Sequence, residues 1–232
     1  MPAEPEKLAG KRPDEPAVCY VTDRKGLGSS DPIGSVLGRI RAAVAADVDW
    51  MQIREKDLAG RELLALVRAA IGITHASAHA GRPGVTVNDR LDVALAAGAA
   101  GVHLGGESLP ARDVIRWCRG GNAPAEFLVG VSCHSLEEVR EAESAGASYA
   151  LFGPIFETPS KERFGPPQGI ARLAEVCRAV RIPVIAIGGV NEANGPECVR
   201  AGAAGIAAIR LFQEPRDPAA LRKAITRLHT RV

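Results

Sequence analysis

Short apolar runs recur along this chain, and in several cases a segment with helical periodicity follows the run. Helical spacing of apolar residues is clearest over 60–80. Residues 135–145 form another such segment, which opens with the Ser-x-x-Glu spacing of a capping box, and a last helix is expected over about 218–228. The apolar runs lie at 17–22, 50–54, 84–88, 101–104, 128–133, 149–153, 183–187 and 205–209. The pattern predicts eight strands.

Eight strand-then-helix units are typical of a closed parallel barrel. Such barrels have about 250 residues, and this chain has 232. The alternative is an open doubly wound sheet, which typically needs fewer strands and a Gly-x-Gly-x-x-Gly turn after its first strand. Here the first strand leads into Thr22-Asp23-Arg24-Lys25-Gly26, without that fingerprint. We therefore predict an α/β fold, a single (β/α)8 TIM barrel over 17–232, behind a short disordered N-terminal tail over 1–16.

Composition and charge narrow the class of protein. The net charge is +2 with lysines and arginines scattered along the chain, so the basic stripe of a nucleic-acid-binding protein is absent. No apolar run approaches the roughly 18 residues of a membrane span. The five cysteines are odd in number and form no Cys-x-x-Cys pair, which indicates a reducing compartment. We predict a cytoplasmic protein without nucleic-acid or membrane partners; homo-oligomerisation is left open.

The second predicted strand ends in an unusual run of polar residues. Side chains alternate along a strand, so Gln52, Arg54 and Lys56 share one face. Burying an unpaired polar group costs roughly 2–7 kcal/mol, so this face should line a polar pocket or meet an anion. The alternative is a strand end that frays into solvent, with Arg54 paired to a neighbouring carboxylate.

Barrel enzymes place their chemistry at the carboxyl ends of the strands, and polar residues recur at those ends here. Hydroxyls beside an ammonium in a long loop suit a phosphate, although the same residues also suit a solvated loop. Glycines after the seventh strand allow backbone N–H groups to approach an anion. Besides the second strand, the candidates are Asn88 and Asp89, which also suit a helix cap, Gly105 to Ser108, Ser132 and His134, Thr158, Ser160 and Lys161, and Gly188 and Gly189.

The histidines fall into three groups. His75 and His79 have the spacing of a helical metal pair but no accompanying carboxylate motif, so we interpret them as surface residues. His103 lies within the fourth predicted strand and is expected to be a core histidine with its hydrogen bonds satisfied. His134 falls at a strand end, where acid–base chemistry is plausible.

Seven motifs, in order, resemble the thiamine phosphate synthase family, which includes the thiazole tautomerases as a sister branch. The resemblance extends from about Tyr20 to Arg210. The motifs are Tyr20-Val21-Thr22-Asp23, Gln52-Ile53-Arg54-Glu55-Lys56, Asn88-Asp89-Arg90-Leu91-Asp92, Gly101-Val102-His103-Leu104-Gly105, Gly130-Val131-Ser132, Gly153-Pro154-Ile155-Phe156-Glu157-Thr158-Pro159-Ser160-Lys161 and Ile185-Ala186-Ile187-Gly188-Gly189-Val190.

The resemblance implies a reaction and a set of roles. The synthases join hydroxymethylpyrimidine pyrophosphate to thiazole phosphate with magnesium and release pyrophosphate. The implied pyrophosphate ligands are Arg54, Lys56, Asn88 and Lys161, with Thr158 and Ser160 lining the site. Asp89 is implied to bind Mg²⁺, Ser132 to touch the pyrimidine, and Gly188, with the backbone after Ile209, to receive the thiazole phosphate.

Two departures keep other readings open. Where the synthases carry Gly-Gln-Glu-Asp after the fourth strand, this chain has Gly105-Gly106-Glu107-Ser108, so Glu107 is the carboxylate that remains to serve the metal. The stretch around His134 is similar to the tautomerases, in which a histidine at that position moves the proton. We expect the synthase, because a tautomerase would have little use for Lys56, Asp89 and Lys161 together. A barrel that binds a thiamine precursor without turnover is the non-enzymatic alternative.

Overall fold

Eight parallel strands close into a barrel in which each strand pairs with the next and β8 pairs with β1. The computed structural model describes residues 15–77, 84–158, 166–214 and 216–229. The strands are β1 Ala17–Val21, β2 Trp50–Ile53, β3 Gly84–Asn88, β4 Gly101–Leu104, β5 Leu128–Cys133, β6 Tyr149–Phe152, β7 Val184–Ile187 and β8 Gly205–Ala208. The predicted barrel is confirmed, and no predicted strand boundary differs by more than one residue.

Two apolar layers hold the barrel together. Alternate strand residues such as Cys19, Trp50, Tyr149 and Ile185 form a compact cluster inside the barrel, while the opposite faces pack under the helices. Both faces of every strand are therefore covered, as expected for a parallel sheet. Gly130 has no side chain because a Cβ there would lie 2.1 Å from the Tyr149 ring. The interior of the barrel is thus filled with side chains. We call the opening at the carboxyl ends of the strands the mouth.

Helices follow the strands in the order expected for this fold. They are α1 Pro32–Ala45, α2 Gly60–His75, α3 Leu91–Ala97, α4 Ala111–Trp117, α5 Leu136–Ala145, α6 Gly169–Ala179, α7 Gly195–Arg200, α8 Arg210–Gln213 and α9 Pro218–His229. A 3-10 helix, Arg24–Leu27, follows β1. Across the parts of the chain that the structure describes, none of the helices has the length and apolar character that a membrane crossing requires.

The start of α5 differs in one detail from the predicted capping box. The Ser135 hydroxyl accepts a hydrogen bond from Glu138 N at 3.1 Å, as predicted. The Glu138 carboxylate, however, accepts from His134 N at 2.6 Å instead of from Ser135 N. The box therefore extends one residue upstream and fixes the backbone of His134 at the end of β5.

Candidate active site

The polar face of β2 points into the barrel mouth, as its alternation predicts. Gln52 shares the interior face with Trp50 and is 2% exposed. Thr22 Oγ1 accepts a hydrogen bond from Arg54 N at 2.9 Å, which joins the ends of β1 and β2. No carboxylate among the residues that the structure describes forms an ion pair with Arg54. The end of β2 therefore contributes a buried amide and an uncommitted guanidinium.

A chain of hydrogen bonds runs from β2 to the residue after β3. Gln52 Nε2 donates to Asn88 Oδ1 at 2.9 Å, and Asn88 Nδ2 donates to Asp89 Oδ2 at 2.5 Å. An ionised carboxylate only accepts, so Asp89 fixes the direction of the chain and the orientation of both amides. Gln52 Oε1 is left as a buried acceptor with no partner among the described side chains. A ligand that donates an N–H group would satisfy it.

Asp89 collects further donors from the loop after β4. The backbone of Asp89 has a φ of +62°, a left-handed conformation that few residues other than glycine adopt. The Ser108 hydroxyl donates to Asp89 Oδ1 and accepts from Gly105 N at 2.7 Å. Lys56 Nζ lies 3.9 Å from Asp89 Oδ2 and 3.9 Å from Glu107 Oε2. A carboxylate and an ammonium thus face each other at the mouth.

His103 connects the barrel interior to the site. It is 1% exposed, with Nδ1 3.3 Å from Tyr149 Oη and Nε2 2.8 Å from Ser132 Oγ. Burial lowers the pKa of His103 to about 3, which the positive charge of Arg54 reinforces and the negative charge of Asp89 opposes. The expected core histidine is confirmed. Its contact with Ser132 was not expected, and it fixes the orientation of that hydroxyl.

His134 lies exposed at the end of β5. Its Nδ1 makes a close contact with the carbonyl oxygen of Gly153. A carbonyl oxygen only accepts, so Nδ1 carries the proton and Nε2 is the free ring nitrogen. The neighbouring thiol of Cys133 is buried, and burial raises its pKa to about 12. The thiol is therefore poorly suited to acid–base chemistry, and the exposed imidazole is the member of this pair that is available for it.

The loop after β6 runs along the end of β7. Phe156 N donates to Gly188 O at 2.9 Å, and both Gly188 and Gly189 have positive φ, +92° and +68°. A Cβ on Gly189 would lie 2.6 Å from Glu157 O, so only glycine fits this close approach. Arg210 Nη2 donates to Thr158 Oγ1 at 3.1 Å, which joins this loop to α8. Ile209 caps that helix at the end of β8.

The structure brings most of the predicted residues together at the carboxyl ends of the strands. These are Gln52, Arg54, Lys56, Asn88, Asp89, Glu107, Ser132, His134, Thr158, Gly188, Gly189 and Ile209. Ser160 and Lys161 lie outside the described residues, as does His79. His75 is exposed at the end of α2, as expected of a surface residue. Sequence reasoning missed the contacts of His103 and Ser108, which depend on neighbouring strands.

The carboxylates at the mouth fit a magnesium site that has few protein ligands. In the described part of the chain, no three His, Cys, Asp or Glu side chains gather as a metal cage would require. Asp89 is held at the mouth by donors, whereas Glu107 is 95% exposed. Mg²⁺ commonly binds one or two carboxylates and completes its shell with substrate phosphates and water. The residues present therefore fit a magnesium ion that is held largely by its substrate.

Comparison with known proteins gives one family. The sequence model described as thiamine monophosphate synthase matches residues 19–212. The thiamine-phosphate synthase of Roseiflexus castenholzii is 41% identical over 208 residues, covering 90% of this chain and 86% of the relative. That of Moorella thermoacetica is 40% identical over 212 residues, covering 90% and 95%.

Solved structures agree with the sequence comparison. Thiamine phosphate pyrophosphorylase from Pyrococcus furiosus has a TM-score of 0.76 and 30% identity, with 97% of this chain and 95% of that chain covered. A 3-hexulose-6-phosphate synthase has a TM-score of 0.67 at 17% identity, a likeness of fold alone. The chain belongs to the thiamine monophosphate synthase family.

Proposed function

We propose that this protein is a thiamine-phosphate synthase that joins hydroxymethylpyrimidine pyrophosphate to thiazole phosphate. The C–O bond between the pyrimidine methylene and pyrophosphate breaks, and its electrons leave with the pyrophosphate. The thiazole nitrogen then forms the new C–N bond. The observation that carries the proposal is the pairing of the Lys56 ammonium with Asp89, 3.9 Å apart, at the end of a buried amide chain.

Stabilising the leaving pyrophosphate is the central task of such a site. Lys56 and Arg54 supply two cations at the end of β2, and Arg54 has no competing carboxylate among the described residues. Asn88 keeps one amide N–H for the anion after donating the other to Asp89. We propose Lys161, Thr158 and Ser160 as further ligands, on the loop after β6.

The first substrate also contains a pyrimidine ring. The buried acceptor oxygen of Gln52 supports an aminopyrimidine in that position. Its Oε1 has no partner among the described residues, and the Asp89-directed chain keeps this oxygen, not the NH₂ group, available. An exocyclic amino group would donate to it. Ser132, oriented by His103, provides a hydroxyl near the end of β5, three strands along the barrel from Gln52. This pair would hold the ring while the methylene faces the cations.

The second substrate is proposed to bind on the opposite side of the mouth. The left-handed glycines 188 and 189 leave backbone groups without a covering side chain, and the end of β8 at Ile209 lies beside them. Barrels commonly bind phosphate between the loops after the last two strands. This assignment leaves the thiazole nitrogen on the side that faces the pyrimidine.

Magnesium completes the proposed site. Asp89 would hold it, with Glu107 as the second carboxylate ligand and phosphate oxygens filling the remaining positions. When bound, Mg²⁺ would neutralise charge on the departing pyrophosphate. Asp89 and Lys56 would together set the position of that pyrophosphate. A cytoplasmic location is also proposed, and it is supported by five free cysteines, four of which are buried.

One observation favours a second candidate, thiazole tautomerisation. His134 has a free Nε2 because its Nδ1 faces a carbonyl oxygen, which is the arrangement of a neutral base. A base alone does not explain why Lys56 and Asp89 face each other. The synthase accounts for both features, because it needs a cation and a metal ligand.

Measuring pyrophosphate release separates the candidates. The protein is incubated with pyrimidine pyrophosphate, thiazole phosphate and Mg²⁺, and both pyrophosphate and thiamine phosphate are quantified. Equimolar formation of the two products is expected, with at least about a hundredfold loss in Lys56→Gln. Isomerisation of a thiazole substrate alone, abolished by His134→Ala, would support the tautomerase. Binding without any turnover would leave a non-catalytic binder.

A further inference from the structure

Lys56 lies between two acidic residues, Glu55 and Asp57, and one arginine holds both of them. Arg24, in the 3-10 helix after β1, donates from Nη1 to Glu55 Oε2 at 3.2 Å. The same guanidinium donates to Asp57 Oδ1 at 2.7 Å and to Oδ2 at 2.8 Å. The residues directly before and after Lys56 are therefore attached to the same side chain on a neighbouring strand end.

The backbone of Arg24 strengthens this attachment. Arg24 N lies 3.1 Å from Glu55 Oε1 and 3.2 Å from Oε2, so Glu55 accepts from both the main chain and the side chain of one residue. Glu55 is 4% exposed, so its carboxylate is buried against Arg24. Its contacts with Arg24 thus fix the backbone between Arg54 and Lys56, directly after β2 ends at Ile53.

The charges are arranged to keep these contacts in place near neutral pH. Hydrogen bonds from Arg24, and then from Lys25, hold the pKa of the Asp57 carboxyl well below its usual range. Hydrogen bonding to Asp57, followed by Glu55, raises the pKa of Arg24. Both carboxylates are occupied by a cation other than Lys56.

Arg24 itself is poorly placed to bind a substrate anion. Its side chain is 13% exposed, and both terminal nitrogens are engaged by carboxylates. Without it, Glu55 would lose its ion pair and Asp57 would keep only Lys25, so carboxylates beside Lys56 would compete with pyrophosphate for the ammonium and repel the anion. Two residues thus have separate roles: Lys56 is available to bind the anion, and Arg24 holds the acidic neighbours of Lys56.

We propose that Arg24 is a positioning residue for pyrophosphate recognition, which holds Glu55 and Asp57 so that neither of these two neighbouring carboxylates pairs with the Lys56 ammonium at the mouth. The inference rests on the proposed function, because it assumes that the mouth binds pyrophosphate. It adds a residue that does not touch the substrate. Arg24 lies after β1, whereas the proposed anion ligands lie at or after the ends of β2, β3 and β6.

The experiment measures the affinity of magnesium pyrophosphate by titration calorimetry, together with KM for both substrates. Arg24→Gln should weaken pyrophosphate binding about tenfold and raise KM for the pyrimidine pyrophosphate similarly, with KM for thiazole phosphate unchanged. Arg24→Lys should weaken binding almost as much, because lysine keeps the charge but loses the planar fork that reaches two carboxylates. Arg172→Gln, which breaks the exposed pair with Glu175 on α6, is the matched control and should behave as wild type.

The outcomes separate the possible explanations. If Arg24→Lys binds pyrophosphate as wild type does, only its charge matters and the positioning role is wrong. The role is also wrong if both substrates lose affinity equally, since that pattern indicates general damage to the barrel. Wild-type protein that does not bind magnesium pyrophosphate would overturn the proposed function and this inference together. If the wild-type protein binds magnesium pyrophosphate tightly and the Arg24 variants bind it with the same affinity, the inference about Arg24 is wrong and the proposed function stands.

Discussion

The hydroxyl of Ser108 donates a hydrogen bond to Asp89 Oδ1, across the ends of β3 and β4. The same hydroxyl accepts from Gly105 N, which lies 3.4 Å from that carboxylate oxygen. Ser108 therefore gives Asp89 a hydrogen-bond donor at a position where an aspartate would add a further carboxylate. Of the two carboxylates in the proposed metal site, Asp89 is thus the one held by hydrogen bonds, while Glu107 is 95% exposed.

Replacing Ser108 with aspartate should create a metal site in the protein without substrate. Two carboxylates at this point repel each other unless a cation joins them, so Ser108→Asp should lower stability in chelator and recover it with Mg²⁺. We expect about tenfold tighter Mn²⁺ binding than wild type, by electron paramagnetic resonance without pyrophosphate. Ser108→Ala removes the hydrogen bond without adding a ligand and should not gain affinity. Equal Mn²⁺ affinity in wild type and Ser108→Asp would contradict this account.

The barrel was predictable because each strand is a short apolar run covered on both faces. Runs such as 149–153 and 205–209 have no charged, amide or aliphatic hydroxyl side chain, and their limits match the structure within one residue. The alternation of Gln52 and Arg54 predicted the inward polar face for the same reason. These features are local, and a period of two residues is enough to reveal them.

The contacts that organise the site were harder to predict from the sequence, because they join residues that are far apart along the chain. Glu55 and Arg24 are 31 residues apart, and Ser108 and Asp89 are 19 apart. One signal was present: Glu55 continues the alternation of Met51 and Ile53 just beyond β2, and a carboxylate buried there needs a cationic partner. Strand order places the β1 loop next to it, which makes Arg24 and Lys25 the nearest choices in the sequence.

Removing the amide of Gln52 should impair recognition of the pyrimidine and spare pyrophosphate. Gln52→Met keeps the length of the side chain but loses the bond to Asn88 and the buried acceptor. We expect KM for the pyrimidine pyrophosphate to rise about tenfold. Calorimetric affinity for magnesium pyrophosphate should change less than threefold, because the cations remain. A large loss of pyrophosphate affinity would mean that the amide chain positions Asp89, not the ring.

The buried histidine should make the protein sensitive to acid. Folded His103 has a pKa of about 3, below the value of about 6.5 in an unfolded chain. Between these values the unfolded state binds the extra proton. The contribution of His103 to the free energy of unfolding is therefore fully present above the unfolded-state pKa and is lost as the pH falls toward 3. This group alone contributes a slope of about 1.4 kcal/mol per pH unit in that window.

Urea denaturation of His103→Asn at pH 7.5 and pH 5 tests this directly. The variant should be less stable at pH 7.5, because asparagine cannot reach both Tyr149 and Ser132. Its stability should fall less between the two pH values than that of wild type, since the titrating group is gone. All other groups are common to both proteins, so the difference between their slopes isolates His103. Parallel pH profiles would show that another group controls acid stability.

Gly189 should tolerate no side chain, and the damage should be confined to the thiazole phosphate side. Its φ of +68° costs alanine about 1–2 kcal/mol, and the added Cβ would lie 2.6 Å from Glu157 O and 2.7 Å from Phe156 Cβ. Gly189→Ala should therefore displace the backbone after β6 and β7, raise KM for thiazole phosphate about tenfold, and leave pyrophosphate affinity within threefold.

A matched glycine on α2 controls for the substitution itself. Gly72 is exposed, and a Cβ there would contact nothing within 4 Å, so Gly72→Ala should gain up to about 1 kcal/mol from helix propensity with both KM values unchanged. Steady-state kinetics with each substrate varied in turn, together with thermal melts, distinguish the two variants. If Gly189→Ala melts at a lower temperature but keeps its KM for thiazole phosphate, Gly188 and Gly189 are needed only for the backbone conformation after β7. In that case the phosphate binds elsewhere on the mouth, since backbone groups displaced by the extra methyl could not hold it at wild-type strength.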